Sequence, residues 1–146
     1  FRHFVECCER LGVEGAERFL QKMIVCDDLI ANTDRHWRNF GLVRDVETLE
    51  YRMAPLFDSG TSLWCDVGLR DLEFTGFSFI SKPFAETPND QLRLVDDFSW
   101  LDMGALAGFP EAAAELLDQN PLLGGKADFV FEGIRSRIDH LMATAS

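Results

Sequence analysis

The residues whose types and spacing could do chemistry lie in the run Asn32-Thr33-Asp34-Arg35-His36-Trp37-Arg38-Asn39 and, further on, in Asp58-Ser59-Gly60. Their order is acid, amide, acid. Phosphoryl transfer needs one carboxylate to take a hydroxyl proton, and an amide oxygen with a second carboxylate to hold magnesium on the phosphates. Asp34, Asn39 and Asp58 supply those types in that order. Taken singly, each residue also suits a surface turn, because Asn-Thr-Asp is good turn chemistry. The joint spacing and the flanking apolar residues favour a site. A zinc centre is excluded, since three scattered histidines and unpaired cysteines give no tetrahedral ligand set.

The elements that must position these residues can be read on either side of them. Phe4, Cys8 and Leu11 recur at helical spacing before Gly12, which predicts a helix over about 2–11. A longer helix starts near Glu14 and delivers the chain to Asn32. Its apolar stripe is Ala16, Phe19, Leu20, Met23, Ile24 and Ile30, with Glu17, Lys22, Asp27 and Asp28 mostly off that face. Stripes at this spacing usually face a core rather than a ligand. After Asn39, the runs 40–43 and 49–53 read as two short strands of a hairpin. The hairpin and Pro55 bring Leu56-Phe57-Asp58 back towards Asn39, as two ligands of one metal require.

Residues 66–86 have no sustained period and read as a long packed loop, of the kind that often binds substrate. Within it Lys82 is either a phosphate or substrate contact or, more ordinarily, a solvated surface lysine. Thr87-Pro88-Asn89-Asp90 is a helix start, with apolar positions predicting a helix over about 88–102. Another helix opens at Pro110 and stops at Asn120-Pro121. Val130, Phe131, Ile134, Ile138, Leu141 and Met142 define a closing amphipathic helix, with His140 as a surface residue near its end.

At 146 residues the chain has the size of one domain. Its 47% hydrophobic and 27% charged residues are ordinary globular usage, which argues against disorder. With 25 acidic against 14 basic side chains the net charge is -11, which repels nucleic acid and anionic lipid. No membrane-spanning run or signal peptide is read. Cys7, Cys8, Cys26 and Cys65 form no CxxC pair, so small apolar core residues in a reducing, cytoplasmic compartment are expected. The absence of an initiator methionine, with a helix starting almost at residue 1, suggests part of a longer protein.

The segments Asn32-Thr33-Asp34-Arg35-His36 to Asn39-Phe40-Gly41 and Ala54-Pro55-Leu56-Phe57-Asp58-Ser59-Gly60 resemble the C-terminal lobe of the HipA-like kinase family. The Asp-Arg-His-x-x-Asn order is also similar to the catalytic loop of phosphatidylinositol kinases. The resemblance covers about residues 19–64. It implies a mainly α fold with a small β-hairpin (α+β), the C-terminal lobe of a protein-kinase-like fold. One domain over 1–146 would hold a catalytic segment at about 28–64 and a helical remainder at about 87–146.

By the same resemblance, Asp34 is the catalytic base, and Asn39 and Asp58 bind the ATP cofactor through Mg2+. Arg35 and His36 are architectural. Ser59 stands where many kinases carry the phenylalanine of Asp-Phe-Gly, so regulation by a flip of that ring is not implied. No Gly-x-Gly-x-x-Gly run precedes the loop, and none of Lys22, Lys82 and Lys126 lies in a suitable strand. The phosphate-covering N-terminal lobe is therefore expected outside these residues, and the isolated chain is expected to be inactive. The implied activity is a bacterial serine/threonine kinase acting on a protein substrate, with an antitoxin-like partner as in a toxin-antitoxin pair. Two alternatives stay open: a catalytically silent lobe that serves as an interaction module, and a kinase with a lipid-type or small-molecule acceptor.

Overall fold

The second helix organises the molecule. In a computed structural model, which describes residues 1–145 apart from the side chain of Thr75, α1 (Arg2–Arg10) turns at Gly12 into α2 (Ala16–Leu29). Gly12 has φ +75°, a left-handed conformation that L side chains rarely adopt, so the helix ends where the sequence predicts. The fully buried residues of α2 include Leu20, Met23 and Val25. Burying each such side chain stabilises the fold by roughly 1.5–3 kcal/mol.

Around α2 the apolar side chains sort into adjoining clusters. Leu20 and Met23 meet Val5 of α1 and Phe40. Ile24, Val25 and Leu29 meet Leu92, Val95 and Leu141, which lie in α4 (Pro88–Leu92), just beyond it, and in α6 (Ala127–Ala145). A third cluster joins Ala31 and Trp64 to Ala113 of α5 (Phe109–Asp118) and to Val130 and Ile134 of α6. The loop that leaves α2 is thus anchored at Ala31 on α5 and α6 and at Phe40 on α1 and α2.

The hairpin is antiparallel, with β1 (Leu42–Arg44) and β2 (Tyr51–Met53) in the register Leu42 to Met53, Val43 to Arg52 and Arg44 to Tyr51. Its turn is closed by Asp45, whose Oδ1 accepts the backbone N–H groups of Glu47 and Thr48 at 2.9 and 2.8 Å. The fold is mainly helical with this small two-stranded antiparallel sheet. Among the described residues, no helix is long and apolar enough to cross a membrane.

Several expectations need correction. The helix predicted over 88–102 stops after Leu92, because the residues beyond it make other bonds. Asp96 accepts from Gln21 of α2 at 2.8 Å, Asp97 pairs with Arg18, and the Asp97 carbonyl accepts from the Trp100 indole at 2.9 Å. Segment 66–86 contains the single turn α3 (Leu72–Thr75), and it is less packed than expected, with Phe74 and Ile80 exposed. Of the four cysteines Cys8 is buried, Cys7 is half-buried, and Cys26 and Cys65 are exposed. Finally, Asp27 and Asp28 do not lie off the buried face of α2. Both are 4% exposed.

Candidate active site

Asp27 is buried because it is the partner of Arg35, whose side chain is wholly inaccessible. The guanidinium meets the carboxylate at two points, Nε to Oδ2 at 2.8 Å and Nη2 to Oδ1 at 2.9 Å. Its remaining N–H groups also find acceptors. Nη1 donates to the carbonyls of Asn39, at 2.8 Å, and Phe57, while Nη2 donates to Ser59 Oγ at 2.9 Å. A guanidinium has five N–H donors in a rigid plane, and here each has a partner. One side chain therefore ties together the end of α2, the loop 32–39 and the segment 57–59.

This arrangement holds the backbone at both acids. Arg35 bonds the residues immediately before and after Asp58, which has φ +55°. Left-handed backbone at a non-glycine residue is tolerated best by Asp and Asn and persists where its surroundings over-determine it. Leu63 and Trp64 are also left-handed, at φ +53° and +52°. The Leu63 N–H donates to the Ile30 carbonyl at 2.7 Å, and the buried Lys126 ammonium donates to the carbonyls of Trp64 and Cys65 at 3.1 and 3.0 Å.

Asp34 is held by its main chain, with its carboxylate half-exposed. Its N–H donates to Asn32 Oδ1 at 3.1 Å, and Asn32 in turn donates Nδ2 to Asp27 Oδ1 at 2.8 Å. Its carbonyl accepts from the His36 N–H and from Asn39 Nδ2, both at 2.9 Å. Lys82 Nζ lies 3.1 Å from Asp34 Oδ1, and His36 Nε2 lies 3.9 Å from Oδ2. Lys82 is exposed, as a surface lysine would be, and it pairs with the acid read as the base. Such a half-exposed pair adds little to stability.

The donors available for a metal are hard oxygens. Because Asn39 gives its Nδ2 to the Asp34 carbonyl, its Oδ1 is the end left over, with no hydrogen-bond partner among the described residues. The Asp58 carboxylate is exposed. An amide oxygen with one carboxylate suits Mg2+ that keeps water and phosphate as its other ligands. Among the described residues no group of three or more His, Cys, Asp or Glu could hold a metal ion.

Asp27 is the residue that sequence reading missed, although the signal was present. It stands three and four positions after Ile24 and Met23, on the same stripe, and an acid on a buried stripe requires a partner. Its neighbour Asp28 pairs with Arg137 of α6, leaving Asp28 Oδ2 and Arg137 Nε buried without partners. Burial pushes the Asp28 carboxyl above its ordinary value, against the opposing pull of Arg137.

A stretch of 46 residues is 44% identical to the serine/threonine-protein kinase CtkA of Helicobacter pylori (strain J99 / ATCC 700824), covering 32% of this chain and 14% of that protein. The similarity to a serine/threonine kinase is short and partial. No family model matches the chain, and no solved structure matches it.

Proposed function

We propose that this chain is the metal-binding and acceptor-side lobe of a HipA-like serine/threonine kinase, which transfers the γ-phosphate of ATP to a protein hydroxyl once a phosphate-covering lobe completes it. The single observation that carries this reading is the Arg35 cluster. One buried guanidinium joins the loop bearing Asp34 and Asn39 to the segment bearing Asp58. A phosphotransfer site needs base and metal ligands held in fixed relation, since its catalysis is mostly positioning and electrostatic stabilisation. The partial likeness to a serine/threonine kinase supports the same reading.

In this scheme the Asp34 carboxylate accepts the acceptor hydroxyl's proton, Lys82 holds that carboxylate in place, and Asn39 Oδ1 and Asp58 would hold Mg2+, which would supply charge neutralisation at the phosphates when bound with ATP. Arg35 keeps the two segments together and does not touch substrate. Nothing in these 146 residues has the pattern of a glycine-rich phosphate loop. The chain alone should therefore transfer no phosphate at a useful rate.

The test is a radiolabelled-ATP assay with magnesium and a generic acceptor protein, run on residues 1–146 and on the full gene product. We expect labelling by the full gene product only. Asp34→Ala should lower it by about 10²- to 10⁴-fold, the usual effect of removing a positioned acid or base. Wild-type turnover in that variant would remove Asp34 from the mechanism, and robust labelling by the short chain would overturn the need for a second lobe.

A further inference from the structure

Beside the proposed base lies a cavity of about 270 Å³, with walls from Thr33, Trp64, Val67, Phe79 and Ile80 and with Asp66 and Lys82 as its charged lining. Thr33 directly precedes Asp34, and Lys82 both lines the cavity and bonds Asp34 Oδ1 at 3.1 Å. The opening is thus within one lysine side chain of the base.

We infer that this cavity is the acceptor subsite, and that it takes a bulky apolar side chain of a polypeptide next to the serine or threonine being phosphorylated. The inference rests on the phosphotransfer reading and names the substrate class for it. Size suits one side chain: the cavity lies at the small end of the roughly 300 to 1,000 Å³ that pockets for drug-sized ligands span. Charge supports a polypeptide over an anionic lipid. Asp66 stands in the wall, and the whole chain carries a net charge of -11. The apolar walls supply affinity, while Lys82 marks the end of the cavity where the hydroxyl must present itself to Asp34.

The experiment uses the full gene product with radiolabelled ATP, a peptide library with a fixed acceptor serine and varied flanking residues, and phosphoinositide vesicles as a competing acceptor. Bulky apolar residues at one flanking position should raise kcat/KM by roughly tenfold or more over Asp at that position, the scale of discrimination in an apolar pocket. Ile80 is 67% exposed, so Ile80→Asp should fold. It should lower kcat/KM for the preferred peptide about tenfold through KM, with the KM for ATP unchanged, and Ile80→Leu should restore it. A library without flanking preference, a preference unmoved by Ile80→Asp, or faster transfer to the vesicles would overturn the subsite while leaving the kinase reading intact. Absence of Asp34-dependent transfer to any acceptor would overturn both.

Discussion

Gly133 of α6 and Trp64 occupy one space: a Cβ added at Gly133 would lie 2.5 Å from both Cη2 and Cζ3 of the indole. The ring has little room to retreat, because Phe77 and Phe129 pack edge-on to it with centroids 6.0 and 5.4 Å away. Gly133→Ala gains about 1 kcal/mol of helix propensity but overpacks a rigid aromatic at roughly 1–3 kcal/mol. We expect net destabilisation, read as a lower urea midpoint at constant slope. A stabilised variant would show that Trp64 is not seated against α6.

Arg35→Lys keeps the charge but loses the planar fork, so Asp27 keeps its bond from Asn32 but loses the two-point contact, and some of the acceptors on Asn39, Phe57 and Ser59 lose their donor. Removing one partner of a buried pair outright costs about 3–5 kcal/mol, and Arg35→Lys, which keeps the charge but gives up several bonds, should cost part of that, more than about 1 kcal/mol. Chemical denaturation should show that loss. The exposed Arg38→Lys, as a control, should stay within about 0.5 kcal/mol. A loss below about 1 kcal/mol at Arg35 would mean that the cluster holds nothing together.

Magnesium alone should bind weakly, and it should bind more tightly with nucleotide, because Asn39 and Asp58, the proposed ligands, would supply only part of a coordination shell. Titration followed by NMR should move both residues, and Asp58→Ala should abolish the response. Unmoved resonances at Asn39 and Asp58 with nucleotide present would count against the metal assignment.

Acid stability offers a test of the contact between α2 and the segment after α4. Asp97 is held down to about 2 by the Ser99 hydroxyl and N–H and by Arg18, against an ordinary value of 3.8. Between those values the unfolded chain binds more protons, so the Asp97 contribution is complete above pH 3.8 and is lost as pH falls through about 2. Asp97→Asn should flatten the difference in urea stability between about pH 4 and pH 2. Asp28 acts in the opposite sense, because its raised carboxyl favours folding while protonated and that contribution fades as pH rises. An Asp97→Asn variant that tracks the native protein throughout that range would dissociate Asp97 from acid stability.

The sequence disclosed the parts of this fold that local chemistry dictates. Gly12 ends α1, Pro88 opens α4, and the paired strands lie inside the predicted runs. Arg35 was expected to be architectural, and it bonds backbone and carboxylate alike. What the sequence did not disclose depends on distant partners. The sequence places Asp27 and Asp28 mostly off the apolar stripe of α2, whereas tertiary structure buries both by bringing Arg35 and Arg137 to them. The helix after Pro88 looked longer because its apolar spacing continues, although Asp96 and Asp97 have their partners on α2. Lys82 is far from Asp34 in sequence, so no local pattern could join them.

The two-point contact between Asp27 and Arg35 also constrains how this protein can vary. A change at position 27 alone strands a buried cation, and a change at position 35 alone strands a buried anion. Accepted substitutions should therefore come as joint replacements, and related chains should show positions 27 and 35 changing together or not at all. Ser59, which receives only one bond from the same guanidinium, should drift more freely among small hydroxyl residues.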